Sequence, residues 1–184
     1  MRSILMLIHN GFEEIEALTT VDLCRRAGIE VCVCSMTGCE MLQGAHGISV
    51  QADAVFENLE LSSFDMVVLP GGLPNATSLR DDDRVMDILR TFERQDKYLG
   101  AICAAPIALE RAGLLQGRRV TSYPGCLEDE SVCDYVEQCV VADGKIITSR
   151  GVGTAIDFAL QIIAVLVSPE KANEIGMGIL YENS

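Results

Sequence analysis

Short apolar runs alternate along the chain with stretches whose apolar residues recur at helical spacing, so strands and helices are expected in turn. Residues 2–8 read as a buried strand, and 13–27 as a helix entered at Asn10-Gly11 and closed by Gly28. Residues 29–36, rich in Val and Cys, form a second strand. There Cys32 and Cys34 alternate with Val31 and Val33, so both cysteines face one side. Residues 37–54 hold Gly38, Gly44 and Gly47 and read as a hairpin or irregular excursion. A third buried strand spans 64–69 and stops at Pro70-Gly71-Gly72. A helix over 81–95 carries acid in its first turn and Arg90 and Arg94 late, as the helix dipole favours. Residues 98–102 are a strand and 104–111 the helix after it. Short strands follow at 120–122, 138–141 and 145–148, the last two turning at Asp143-Gly144. A helix covers 154–167, and Pro169 opens a final one.

This alternation predicts an α/β fold with a mainly parallel sheet, without internal repeat or linker. In open sheets of this kind, sites form beyond the carboxyl ends of the strands. The segments expected there are His9-Asn10-Gly11, Pro70-Gly71-Gly72 and Cys103-Ala104-Ala105.

Composition narrows the function. The 184 residues suggest one domain, 1–184, and 49% hydrophobic residues supply an ample core. With 14 Lys+Arg against 27 Asp+Glu the net charge is -13, which argues against nucleic acid and against anionic membrane surfaces. The apolar stretch at 159–167 is broken by Gln161 and is too short to span a bilayer. The apolar stretch at 4–8 is too short for a signal peptide, so a cytoplasmic location is expected. Eight cysteines in a reducing compartment do not imply disulfides. No CxxC pair occurs and the histidines are His9 and His46 alone, so no metal site is expected, a Cys32/Cys34/Cys39 clip being the lesser reading.

Cys103 carries the most chemical information. It falls where a strand passes into a helix, flanked by the small residues Gly100, Ala101, Ala104 and Ala105. A nucleophile on such a turn is held in a strained conformation and projects from the sheet edge; the other reading is an ordinary buried cysteine. The following helix N-terminus favours thiolate, so Cys103 is expected to be the most acidic thiol. The amides of Pro70-Gly71-Gly72, with that of Ala104, are placed to form an oxyanion hole or else a plain strand-exit turn. Glu13, Glu14 and Glu16 serve either as dipole partners or, if one is buried beside the sulfur, as a protonated hydrogen-bond donor; the sequence leaves both open.

Five blocks, Asn10–Glu16, Arg25–Gly28, Val68–Gly72, Ala101–Pro106 and Thr148–Thr154, together resemble the DJ-1/ThiJ/PfpI superfamily, and within it the Parkinson-associated protein deglycase branch. The resemblance implies a flavodoxin-like three-layer sandwich and a homodimer. By motif matching, Cys103 falls at the reactive cysteine and Glu16 at the buried acid that hydrogen-bonds it. Gly72 and Ala104 fall at the amides facing the sulfur. It further implies cofactor-free action on a small carbonyl substrate, converting methylglyoxal to lactate or removing glyoxal adducts. Redox sensing through the cysteine and chaperone activity are the alternative from a different functional class.

Three departures bear on this. Tyr123 stands where several relatives carry a histidine, and a tyrosine is a poor proton shuttle at neutral pH. With Tyr123 as an accessory residue, this either counts against glyoxalase turnover, favouring the redox-sensing thiol, or moves all proton transfer onto Glu16. His46 stands where relatives often carry an arginine reaching across the dimer, a solvated loop histidine being the other reading. Ala104 replaces the histidine of the protease-like branches, and no His-x-Glu occurs, so peptidase and amidotransferase activities are not expected. Because Cys32, Cys34 and Cys139 fall in expected strands, burial should protect them from oxidation, leaving Cys126 and Cys133 as competitors of Cys103.

Overall fold

The computed structural model describes residues 2–181. In chain order the elements are β1 (Ser3–Ile8), α1 (Glu14–Arg26), β2 (Glu30–Ser35), β3 (Met41–Gln43), β4 (Ser49–Gln51), β5 (Ala54–Val55) and β6 (Met66–Leu69). Then come α2 (Asn75–Asp81), α3 (Asp83–Arg94), β7 (Tyr98–Ile102), α4 (Pro106–Arg111), β8 (Arg119–Val120), β9 (Asp134–Tyr135), β10 (Val140–Asp143) and β11 (Ile146–Ser149). The last two are α5 (Ala155–Leu166) and α6 (Pro169–Gly178).

Seven strands form one sheet in the order β10-β11-β7-β6-β1-β2-β5. All pairings are parallel except β10 with β11, whose antiparallel hairpin turns through Gly144 as the Asp-Gly signal requires. Both sheet faces are covered, which is why β1 is buried at every position. Its Ile4, Met6 and Ile8 join the core under α1, α5 and α6, while Leu5 and Leu7 join the core under α2, α3 and α4. This is the expected three-layer sandwich. Helix α3 buries Val85, Met86, Ile88, Leu89 and Phe92, one stripe at helical spacing. Cys34 lies in that second core and Cys32 packs against it, so the two do share a face.

Several boundaries differ from the expectation. The helix expected at 81–95 begins only at Asp83, because the extended Asp82 caps it by accepting from the Arg84 N–H. Ahead of it runs the unforeseen α2. The excursion after β2 is a real hairpin, β3 with β4, but it is followed by β5, which returns to the edge of the main sheet. The strand expected at 120–122 is shorter, and β8 pairs with β9 outside the main sheet. Cys139 precedes β10 and is exposed, so burial does not protect it; Cys39 is exposed as well. No helix among the described residues is long and apolar enough to cross a membrane.

Beyond β1 the chain runs to β2 on one side, and β6 then lands on the other side of β1. The sheet therefore switches direction between β1 and β6, where α/β folds open a crevice at the carboxyl edge. The loops after β1, β6 and β7 meet there.

Candidate active site

Cys103 follows β7 directly and has φ 64°, a left-handed conformation that costs a residue with a side chain about 1–3 kcal/mol. Two neighbours hold it there. Its N–H donates to the Ser149 carbonyl at 2.9 Å, and its own carbonyl accepts from the Tyr123 N–H at 2.8 Å. The sulfur is half-buried.

Glu16, in the first turn of α1, is fully buried. Its Oε2 accepts from the Gly71 N–H at 2.8 Å, while its Oε1 is buried without a hydrogen-bond partner among the described residues. One satisfied acceptor and one bare oxygen leave Glu16 free to give or take a proton at Oε1. The Cys103 thiol lies beside it, placed for such an exchange without yet being aligned. Gly71 makes the approach possible: a Cβ there would stand 2.7 Å from both Cys103 Cβ and Glu16 Oε2.

Burial pushes the Glu16 carboxyl up to about 7, and the charge of Glu13 adds to the rise, against lowering by Cys103 and the Gly71 N–H. Burial, then the facing Glu16 carboxylate, push the Cys103 thiol up to about 12, with the Ala104 N–H opposing. The two groups titrate as one unit that carries at most one negative charge near neutrality. Burial and the facing carboxyl thus act against the acidity expected for Cys103. Helix α4 begins only at Pro106, and the Ala104 amide alone does not outweigh desolvation and a facing carboxylate.

Of the expected site residues, the structure brings Cys103, Glu16, Ala104 and Tyr123 together. Gly72 lies alongside with φ 87°, yet its N–H makes no hydrogen bond among the described residues, and Gly71 supplies the amide that holds Glu16. Gly71 was legible only as part of the Pro-Gly-Gly turn. An open cavity of about 400 Å³ rises over the sulfur, walled by Tyr123, Pro124, Gly151 and Val152. Another of about 350 Å³, between Arg80, Glu110 and Val132, contains none of the site residues.

His46 stands apart from this cavity. From the β3–β4 turn its Nδ1 meets Glu14 Oε2 at 2.8 Å, and its N–H donates to Glu14 Oε1 at 2.7 Å. Glu13 Oε1 is 3.9 Å from the same Nδ1, and Glu13 Oε2 caps α1 by accepting from the Glu16 N–H at 2.8 Å. Glu13, Glu14 and His46 are the group among the described residues whose atoms lie close enough to share a metal ion. Their hydrogen bonds already account for them as a clamp between hairpin and helix.

A profile of the DJ-1/PfpI family matches residues 2–165. The chain is 37% identical to Protein dj-1beta of Drosophila melanogaster over 182 residues, covering 97% of each. The crystal structure of that protein superposes with a TM-score of 0.94 over 99% of both chains. Toxoplasma gondii DJ-1 in an oxidized form is 35% identical, with a TM-score of 0.93 over the whole of both chains. A Caenorhabditis elegans relative named glutathione-independent glyoxalase DJR-1.2 is 31% identical over 176 residues, covering 94% of this chain and 92% of its own.

Proposed function

The chain belongs to the DJ-1/PfpI family, and from that premise we propose that it is a cysteine-dependent, cofactor-independent enzyme acting on small 2-oxoaldehydes or their adducts. The observation that carries the reading is the buried Glu16, with its bare oxygen beside a thiol held on a left-handed turn. A carboxyl near 7 is poised to give and take protons at neutral pH. The name of the nematode relative supports the same chemistry.

The steps follow from the groups present. Sulfur adds to the aldehyde carbon, and Glu16 takes the thiol proton and passes it to the former aldehyde oxygen, giving a hemithioacetal. Glu16, again a carboxylate, removes the hydrogen from that carbon. Charge then builds on the oxygens, where the Ala104 amide and the unengaged Gly72 amide serve as donors. Returning the proton to the neighbouring carbon, while the hydroxyl proton of the first carbon passes to the oxygen of the second, gives a thioester of the 2-hydroxy acid. Water hydrolyses it and restores the thiol, so methylglyoxal and water become lactate and a proton. Tyr123 lines the path without taking a proton.

The test is to incubate the protein with methylglyoxal and assay lactate, with Cys103→Ala as control. Lactate from the native chain and none from the variant is expected. Absence of turnover, together with a first +32 Da adduct at Cys103 under graded peroxide, overturns the enzyme in favour of the redox-sensing thiol.

The chain further acts as a homodimer in this reading. Ile15 and Leu18 on one side of α1, with Met41 and Ile48 on the hairpin docked at its start, leave apolar side chains exposed on adjoining elements.

A further inference from the structure

The wall over Cys103 is built to receive an apolar group. Of its polar members, Thr154 spends its hydroxyl on Ser149 and on the Gly151 backbone, and Arg150 turns to Glu137 at 3.3 Å. What remains toward the opening is the Tyr123 ring, 56% exposed, Pro124, and Val152, 40% exposed. Between sulfur and ring sits Gly151. A Cβ there would lie 3.8 Å from Cys103 Sγ and 3.8 Å from Tyr123 Cδ2, an ordinary contact with each. The missing side chain thus leaves a slot between the reacting atom and an aromatic face, and the protein fills it with nothing else.

We propose that this slot is the subsite for a flat aromatic substituent next to the reacting carbonyl, and that Gly151 sets its size limit. The ring of an aryl-substituted 2-oxoaldehyde stacks against Tyr123, with Val152 at its edge, while its aldehyde carbon meets the sulfur. The smallest 2-oxoaldehydes leave that contact unmade. The assignment of a carbonyl substrate rests on the function proposed above; the slot itself does not.

Alkylation separates the two. Iodoacetamide and its N-phenyl derivative react alike, the thiolate displacing iodide to form a thioether, and differ by a ring. Rates at each cysteine are read by peptide mass spectrometry. At Cys103 the N-phenyl reagent should outrun iodoacetamide about fivefold relative to the same ratio at exposed Cys139. Gly151 has φ 163°, extended backbone that alanine adopts, so Gly151→Ala should fold as the native chain does. It should abolish the aryl preference. Tyr123→Ala should also remove the preference, and it carries the test if Gly151→Ala misfolds. Equal ratios at Cys103 and Cys139, or a preference that survives both variants, overturn the slot. In turnover, phenylglyoxal should be favoured over methylglyoxal. Lactate formation with a flat reagent ratio leaves the enzyme standing and removes the slot; a steep ratio with neither aldehyde consumed does the reverse.

Discussion

Glu13, Glu14 and Glu16 lie within one turn of chain and meet three different fates. Glu13 caps the helix, Glu14 anchors a hairpin and Glu16 is sealed beside a thiol. Sequence alone left them equivalent as acids at a helix start, because nothing local tells which one faces the sheet edge. The resemblance singles out Glu16, but that the Gly71 amide holds it shows only in the structure, since two adjacent glycines look alike until one amide is seen to point at a carboxylate. Likewise Cys139 looked protected by its strand and is exposed before it. At this scale the decisive variant is Glu16→Gln. It removes the charge that adds to burial in raising the Cys103 thiol, so the thiol should become more acidic. The pH profile of Cys103 alkylation should lose the inflection due to Glu16 near 7, and the rate at pH about 9 should rise severalfold. An unchanged profile would show that Glu16 does not control the sulfur.

The elements were mostly legible, because buried parallel strands announce themselves as continuous apolar runs. β7 came out with its ends in place. What escaped were short elements whose existence depends on remote partners. Two-residue β5 exists because β2 offers it an edge, and α2 because its Ala76 and Leu79 find a core. The β3–β4 hairpin stays in place partly through the His46–Glu14 contact, which sets a pH window. Burial raises the Glu14 carboxyl, but hydrogen bonds from His46 and the backbone outweigh it and hold it at about 2 instead of 4.5. That contribution is whole above pH 4.5 and fades as pH falls toward 2. The hydrogen bond to Glu14 raises His46 above 6.5, so its share is whole below 6.5 and fades as pH rises through the folded value. Hydrogen exchange across residues 43–51, corrected for intrinsic rates, should be slowest between pH 4.5 and 6.5. His46→Ala should flatten the upper limb. Equal protection at pH 5 and 8 in the native chain would argue that the contact carries no weight.

For the whole molecule, the exposed apolar residues on α1 and the hairpin give a direct test of assembly. Leu18→Lys places a charge on the outer side of α1, on the face opposite the buried Glu16. Light scattering should find a dimer for the native chain and a monomer for Leu18→Lys at micromolar concentration. A native monomer would remove the dimer from the proposal. The three-layer architecture was readable from alternation alone; which helix faces stay uncovered was not, because the helical pattern marks the inward stripe and leaves the outer surface unspecified.

The Cys103 backbone is pinned by Ser149 and Tyr123, and its sulfur is answered by Glu16, which Gly71 holds in turn. Those positions are scattered across nearly the full length of the chain and meet only when β1, β6, β7 and β11 lie side by side. Long-range parallel pairing of this kind forms late. A nascent or damaged copy therefore holds eight unremarkable thiols. The special chemistry of one of them is a certificate that the chain has finished folding, which makes the reactivity of Cys103 a quantitative assay of the native fraction in any preparation.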